Sequence, residues 1–157
     1  MNLIGKTTIH PLLFFSGKIM GYFTWIVQLL AILNIDLVNR TSFGYNDYSS
    51  FVILVPGLVF IVSSLISLGG STRLGLPSEE TVLKTNGLYR LSRNPMYLGF
   101  NLWTISSMIY TLNIWIVLAG IYSMIIYHLI ILGEERFLED RFGYEYKNYK
   151  KKIRRYI

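Results

Sequence analysis

An all-α integral membrane protein is predicted by three features of the sequence: long apolar runs, a shortage of charge, and a one-sided distribution of the charges present. Of 157 residues, 52% are hydrophobic and 15% charged, with a mean hydropathy of +0.42. Soluble domains carry about 25% charged residues, so this chain lacks the charge needed to wet a globular surface, which argues against a soluble enzyme. The length predicts one domain, 1–157. With no cysteine, a disulfide framework, a thiolate metal set and a Cys nucleophile are excluded, and no metal site is expected.

About four transmembrane helices are predicted, at 19–35, 51–68, 97–112 and 114–132, and none of these stretches contains Asp, Glu, Lys or Arg. The third gives only about 24 Å of helix against a hydrocarbon core of about 30 Å, so it is expected to enter obliquely or shielded by protein. Asn113 is the only polar break before the fourth, which predicts a tight helical hairpin. The run Leu12 to Phe15 is too brief for a signal peptide and no Ala-x-Ala-like site follows, so the first span is expected to be retained.

Orientation follows from the basic residues. All but one of the 15 Lys and Arg fall before the first span, between the second and third, or after the fourth; the exception is Arg40. The positive-inside rule then places both termini, the loop 69–96 and the tail 133–157 in the cytoplasm, with 36–50 on the far side. The net charge of +6 is thereby read as topology, and no nucleic-acid partner is expected.

Residues able to do chemistry gather on the cytoplasmic side. In the loop, Asn94-Pro95 has the form of an N-cap followed by a first-turn proline, and Arg90 and Arg93 precede it. A helix start beside two guanidiniums attracts a carboxylate or phosphate. Where the fourth span ends, Glu134 and Glu135 stand together, and His128 lies two helical turns before Glu135 on the same face. In the tail, Phe142, Tyr146, Tyr149, Ile153 and Tyr156 form one helical stripe, with Lys147, Lys150, Lys151, Arg154 and Arg155 on the remaining surface. That pattern predicts a basic amphipathic helix on an anionic leaflet.

The ordered set Thr85-Asn86-Gly87-Leu88-Tyr89-Arg90, Ser92 to Gly99, a two-span hairpin, Glu134-Glu135 with Leu138, and Phe142-Gly143 with Tyr146 and Tyr149 resembles the isoprenylcysteine carboxyl methyltransferase and phospholipid methyltransferase superfamily. The likeness covers the second half of the chain and extends weakly to Arg73 to Pro77. It implies a membrane enzyme taking S-adenosylmethionine from the cytosol and a lipid-like or prenylated acceptor, carboxylate or amine, from the bilayer. Carried over, cofactor binding is expected at Arg90, Arg93, Asn94, Pro95, Tyr97, Gly99, Glu134, Glu135 and Tyr146.

Within that resemblance, Arg93 and Glu135 are expected to hold the charged ends of the cofactor's amino-acid moiety, with Glu134 as the alternative carboxylate. Asn94 is expected mainly to cap the third span, and tail tyrosines to pack on adenine. Glu135 or His128 is the base if an amine is methylated. Carboxyl methyltransferases of the superfamily usually have His where this chain has Asn94, and a Pro often follows the tail's last basic residues, where this chain has none. Two rivals are a sterol-type reductase using NADPH and a lipid-binding scaffold.

The charge distribution makes topology testable. Cysteines introduced at Ser42 and Ser78 of this Cys-free chain should react with an impermeant thiol reagent from opposite sides of the membrane; labelling of both from one side would overturn the four-span orientation.

Overall fold

The computed structural model describes residues 7–68 and 82–157; residues 69–81, with the Arg73 to Pro77 motif and Ser78, lie outside them. Among the described residues the chain is all helical: α1 (Pro11–Ile32), α2 (Tyr45–Leu68), a 3-10 turn (Gly87–Arg90), α3 (Pro95–Thr111), α4 (Ile114–Phe142) and α5 (Tyr144–Lys152). Three of these helices, α1, α2 and α4, are long and apolar enough to cross a membrane. The 17 residues of α3 give about 25 Å of helix.

Proline sets two helix starts. Pro11 takes the first turn of α1, and the Phe14 amide donates to the His10 carbonyl at 3.0 Å. The helix thus begins at Pro11, upstream of the apolar stretch expected from Ile19, and Lys18 lies within it. Pro95 likewise opens α3. The Asn94 side chain makes no capping bond, contrary to its expected role, because it is drawn toward α4. At the other end of α3, Leu112 turns the chain at φ +45°, and Asn113 caps α4 by accepting from the Trp115 amide at 3.0 Å. The expected hairpin is therefore made by two residues.

In a bilayer, lipid tails are as apolar as Leu, so helices associate through close backbone approach and interhelical hydrogen bonds. Both are used here. α1 runs antiparallel to α4: Thr8 meets Ile130, Gly17 faces Ile126 and Gly21 faces Ser123 and Tyr127. The Ser123 hydroxyl donates to the Gly17 carbonyl at 2.8 Å. α3 runs antiparallel to α2, with Gly99 pressed on the Gly57 carbonyl and Ser106 donating to the Ser50 carbonyl at 2.8 Å. Between α1 and α3, the Trp25 indole donates to Thr104 at 3.0 Å, and the Gln28 amide bonds both Ser106 and Ser107.

This arrangement brings the start of α1, the end of α2, the start of α3 and the end of α4 to one end of the bundle. A core of Phe14, Tyr97, Ile126, Tyr127, Ile130 and Ile131 supports that end. The opposite end is tied by Arg40, which stacks on the Tyr110 ring at 4.0 Å and pairs with Asp47.

The tail departs from the single helical stripe expected for 142–156. Phe142 ends α4, Gly143 breaks the helix at φ +50°, α5 stops at Lys152, and Ile153 is extended. Ile153 and Tyr156 are therefore not on the helix that carries Tyr146 and Tyr149.

A methyl group at Gly99 would sit 2.7 Å from the Gly57 carbonyl oxygen, whereas nothing lies within 4 Å of one at Gly143. Gly99→Val should destabilise by about 1–3 kcal/mol through forced separation of α2 and α3. Gly143→Ala should cost about 1 kcal/mol, from its backbone conformation alone. Thermal unfolding in detergent checks the order; equal effects would overturn the close-packing account.

Candidate functional site

Two carboxylates adjacent in sequence leave α4 in different surroundings. Glu135 is buried at 4% exposure. One of its oxygens, Oε1, accepts from Arg93 Nε and Nη2 at 3.1 and 2.9 Å and from Asn94 Nδ2 at 3.1 Å. The other, Oε2, accepts from Arg155 Nε and Nη2 at 3.1 and 2.9 Å. A buried carboxylate is tolerated when both oxygens are hydrogen-bonded and its charge is matched, and two guanidiniums with an amide satisfy both demands. The ion pair with Glu135 in turn raises the pKa of Arg155.

Arg93 reaches further. Its Nη1 donates to the Ile153 carbonyl at 2.7 Å and its backbone amide to the Arg154 carbonyl at 3.0 Å. The Arg155 carbonyl accepts from Ser92 Oγ at 3.0 Å and Asn94 Nδ2 at 3.3 Å. Residues 92–94 and 153–155 thus form a short strap across the end of the bundle. His128 and Tyr156 hold the far edge, Nδ1 to hydroxyl at 2.8 Å. The Tyr149 hydroxyl fastens α5 to the 3-10 turn by donating to the Tyr89 carbonyl at 2.6 Å.

Glu134 is only partly buried, and its Oε1 accepts from the Tyr97 hydroxyl at 2.7 Å. Among the described residues no cation is in ion-pair contact with it. Lys18 of α1 attracts it from a greater distance. The Tyr89 phenol is also near enough to feel its charge, and burial, Tyr149 and Glu134 together push that phenol above its usual range. Tyr89 of the 3-10 turn and Lys18 of α1 thus both lie within electrostatic reach of Glu134.

Of the residues singled out in the sequence, Arg93, Asn94, Pro95 and Glu135 come together in the strap, and Tyr97 with Glu134 in the neighbouring cluster. Arg90 stands apart, exposed on the 3-10 turn. Gly99 belongs to the α2 crossing. Tyr146 is 1% exposed, so its ring is already covered by protein and presents no open face to an adenine. Burial pushes its phenol up and that of Tyr149 up to about 12. Arg155, expected on the solvated side of the tail, instead turns inward to Glu135 because α5 stops at Lys152 and Arg155 lies beyond it. Ser92, Tyr156 and Lys18 were not anticipated as site residues; an isolated Lys near the start of an apolar helix is the signal that marks the last.

The sequence profile of the phospholipid methyltransferase family matches residues 45–145. The chain is similar to a protein-S-isoprenylcysteine O-methyltransferase of Dictyostelium discoideum, 37% identical over 76 residues that make up 48% of this chain and 32% of the relative. It is also similar to a probable protein-S-isoprenylcysteine O-methyltransferase of Oryza sativa subsp. indica, 26% identical over 119 residues, 71% of this chain and 61% of the relative. The chain thus spans about a third to three fifths of the length of these relatives.

Removing the charge at Glu135 leaves two guanidiniums without a counter-charge. Glu135→Gln should cost about 3–5 kcal/mol and release residues 144–157, read as faster amide hydrogen exchange there. Glu134→Gln should leave that exchange unchanged. Equal protection of the tail in wild type and Glu135→Gln would overturn the strap.

Proposed function

The chain belongs to the phospholipid methyltransferase family, and on that premise we propose that it is a membrane enzyme transferring a methyl group from S-adenosylmethionine to a prenylated or lipid-like acceptor. The relatives named as isoprenylcysteine O-methyltransferases support the acceptor class. The antiparallel packing of α3 on α2 supports a reading in which α3 completes four crossings, with both termini and the site on the cytoplasmic side.

The observation that carries the cofactor assignment is the difference between the two carboxylates. S-adenosylmethionine supplies a methyl group on a positively charged sulfur, beside an ammonium and a carboxylate. A site for it needs a carboxylate with capacity to spare. Glu135 has none, since both oxygens are spent on arginines. Glu134, whose bond among the described residues is to a neutral phenol, has that capacity and meets the cationic end.

Arg93 is spent likewise on Glu135 and on tail carbonyls, so its contribution is to position the tail. Arg90, which makes no hydrogen bond among the described residues, is the described loop arginine left for the cofactor carboxylate. The strap and α5 exclude water from this end of the bundle, where charges then act more strongly than in solution. Tyr97 fixes the orientation of Glu134 and carries no charge of its own into the site.

Purified protein should be stabilised by S-adenosylmethionine or its demethylated product, by about 2.7 kcal/mol at a hundredfold excess over Kd, and not by NADPH. Glu134→Gln should weaken that binding by roughly ten- to a hundredfold without loosening the tail. Stabilisation by NADPH alone would favour a reductase, and by neither a scaffold.

A further inference from the structure

The tail returns to the level at which α4 leaves the membrane. The uncharged part of α4 ends at Gly133, and Glu134 to Phe142 carry the helix about 13 Å further. Gly143 then breaks the helix, and the residues after it run back along α4: Lys150 pairs with Glu139, Arg155 with Glu135, and the Tyr156 hydroxyl meets His128. His128 lies within the uncharged stretch, and Tyr156 packs against the core of Phe14, Tyr97 and Ile130. Residues 151–154, between the contacts with Glu139 and His128, therefore cross the boundary of the apolar layer. Lys151, Lys152 and Arg154 are exposed there, and among the described residues none of the three is in an ion pair. Their basic neighbours are committed, Lys147 and Lys150 to Glu139 and Arg93 and Arg155 to Glu135. Between 144 and 157 the sequence holds one carboxylate side chain, Glu145, at the outer end near Gly143.

We propose that Lys151, Lys152 and Arg154 seat on anionic lipid headgroups of the leaflet at this end of the bundle, and that the surface charge of that leaflet holds the strap closed. The apolar stripe expected to lie on a leaflet is not free to do so, because Tyr146 and Tyr149 are 1% and 9% exposed and face protein. Contact with the membrane is therefore left to the charges, which an anionic surface attracts over about a Debye length. The carbonyls of Arg154 and Ile153 accept from Arg93, at 3.0 and 2.7 Å. One short segment thus closes the strap with its backbone and meets the leaflet with its side chains. Opening the strap lifts these cations off the headgroups, so an anionic surface opposes opening. A soluble acidic partner would match the charge but not the level, since side chains beside the exit of α4 lie among lipid phosphates. The assignment requires a bilayer and is independent of methyl transfer.

The test compares the full chain in nanodiscs of phosphatidylcholine with the same chain in nanodiscs in which about a third of the lipid is phosphatidylglycerol. Amide hydrogen exchange in 144–157, normalised to that of α1, should be roughly ten- to a hundredfold slower in the anionic discs, and high salt should remove the difference. The triple variant Lys151→Gln, Lys152→Gln, Arg154→Gln alters exposed side chains outside any ion pair. It should match wild type in neutral discs and gain nothing from phosphatidylglycerol, whereas Lys151→Arg with Lys152→Arg should keep the gain. Inorganic phosphate or polyglutamate added to neutral discs should give no protection. Equal exchange in the two discs, a gain that survives the triple variant, or protection by phosphate or polyglutamate would overturn the assignment. The level of the tail is read separately with a nitroxide at Ile157→Cys or Tyr144→Cys, in each case the sole thiol of the chain. Collision with oxygen should be favoured over collision with a nickel chelate more strongly at 157 than at 144; equality or the reverse order would also overturn it.

Discussion

The Glu135 carboxylate, accepting from two guanidiniums and an amide, is the interaction on which this end of the molecule depends. It joins three segments distant in sequence: the turn before α3, the exit of α4, and the residues after α5. A buried ion cluster of this kind adds little net stability over an apolar core of the same shape. What it adds is definition, because the fork of each guanidinium fits the carboxylate in one orientation. The bond from the Arg93 amide to the Arg154 carbonyl and that from the Ser92 hydroxyl to the Arg155 carbonyl then follow from that alignment.

Glu134 gains its availability from the same arrangement. Two adjacent glutamates on a helix point about 100° apart, so only one of them can face the strap. With Arg93 and Arg155 committed to Glu135, its neighbour is left, among the described residues, with Tyr97 and a Lys18 beyond ion-pair contact. Adjacent acidic residues thus divide into one that holds the strap and one that, among the described residues, is bonded only by Tyr97, and the phase of α4 decides which is which.

Much of the helical layout was legible because its causes are local. The apolar runs, the Asn113 break and the proline at the start of α3 act through the residues around them, and α2, α3 and α4 lie close to where the sequence puts them. The resemblance likewise drew attention to Arg93, Asn94, Glu134 and Glu135, which the structure brings to one end of the bundle. Their division of labour was not legible. Asn94 reads as a cap until Glu135, 41 residues away in sequence, is seen to draw its amide away. Lys18 and Arg155 were missed for related reasons: helix phase and the break after Lys152 determine their neighbours, and periodicity continued through Gly143 hides that break. The close approaches at Gly17, Gly21, Gly57 and Gly99 were likewise unread, since a glycine shows its use only when the partner helix is present.

The strap also orders the birth of the molecule. Arg93 Nη1 and its carbonyl partner on Ile153 are 60 residues apart. During synthesis the turn before α3 leaves the ribosome with its guanidinium unmatched, and it stays so while α3, α4 and α5 are made. Closure of a loop this long is slow and entropically opposed until the intervening helices have packed. The strap therefore closes only after α4 and α5 have been made, since the partners of Arg93 at 153 and 154 follow both helices in the chain.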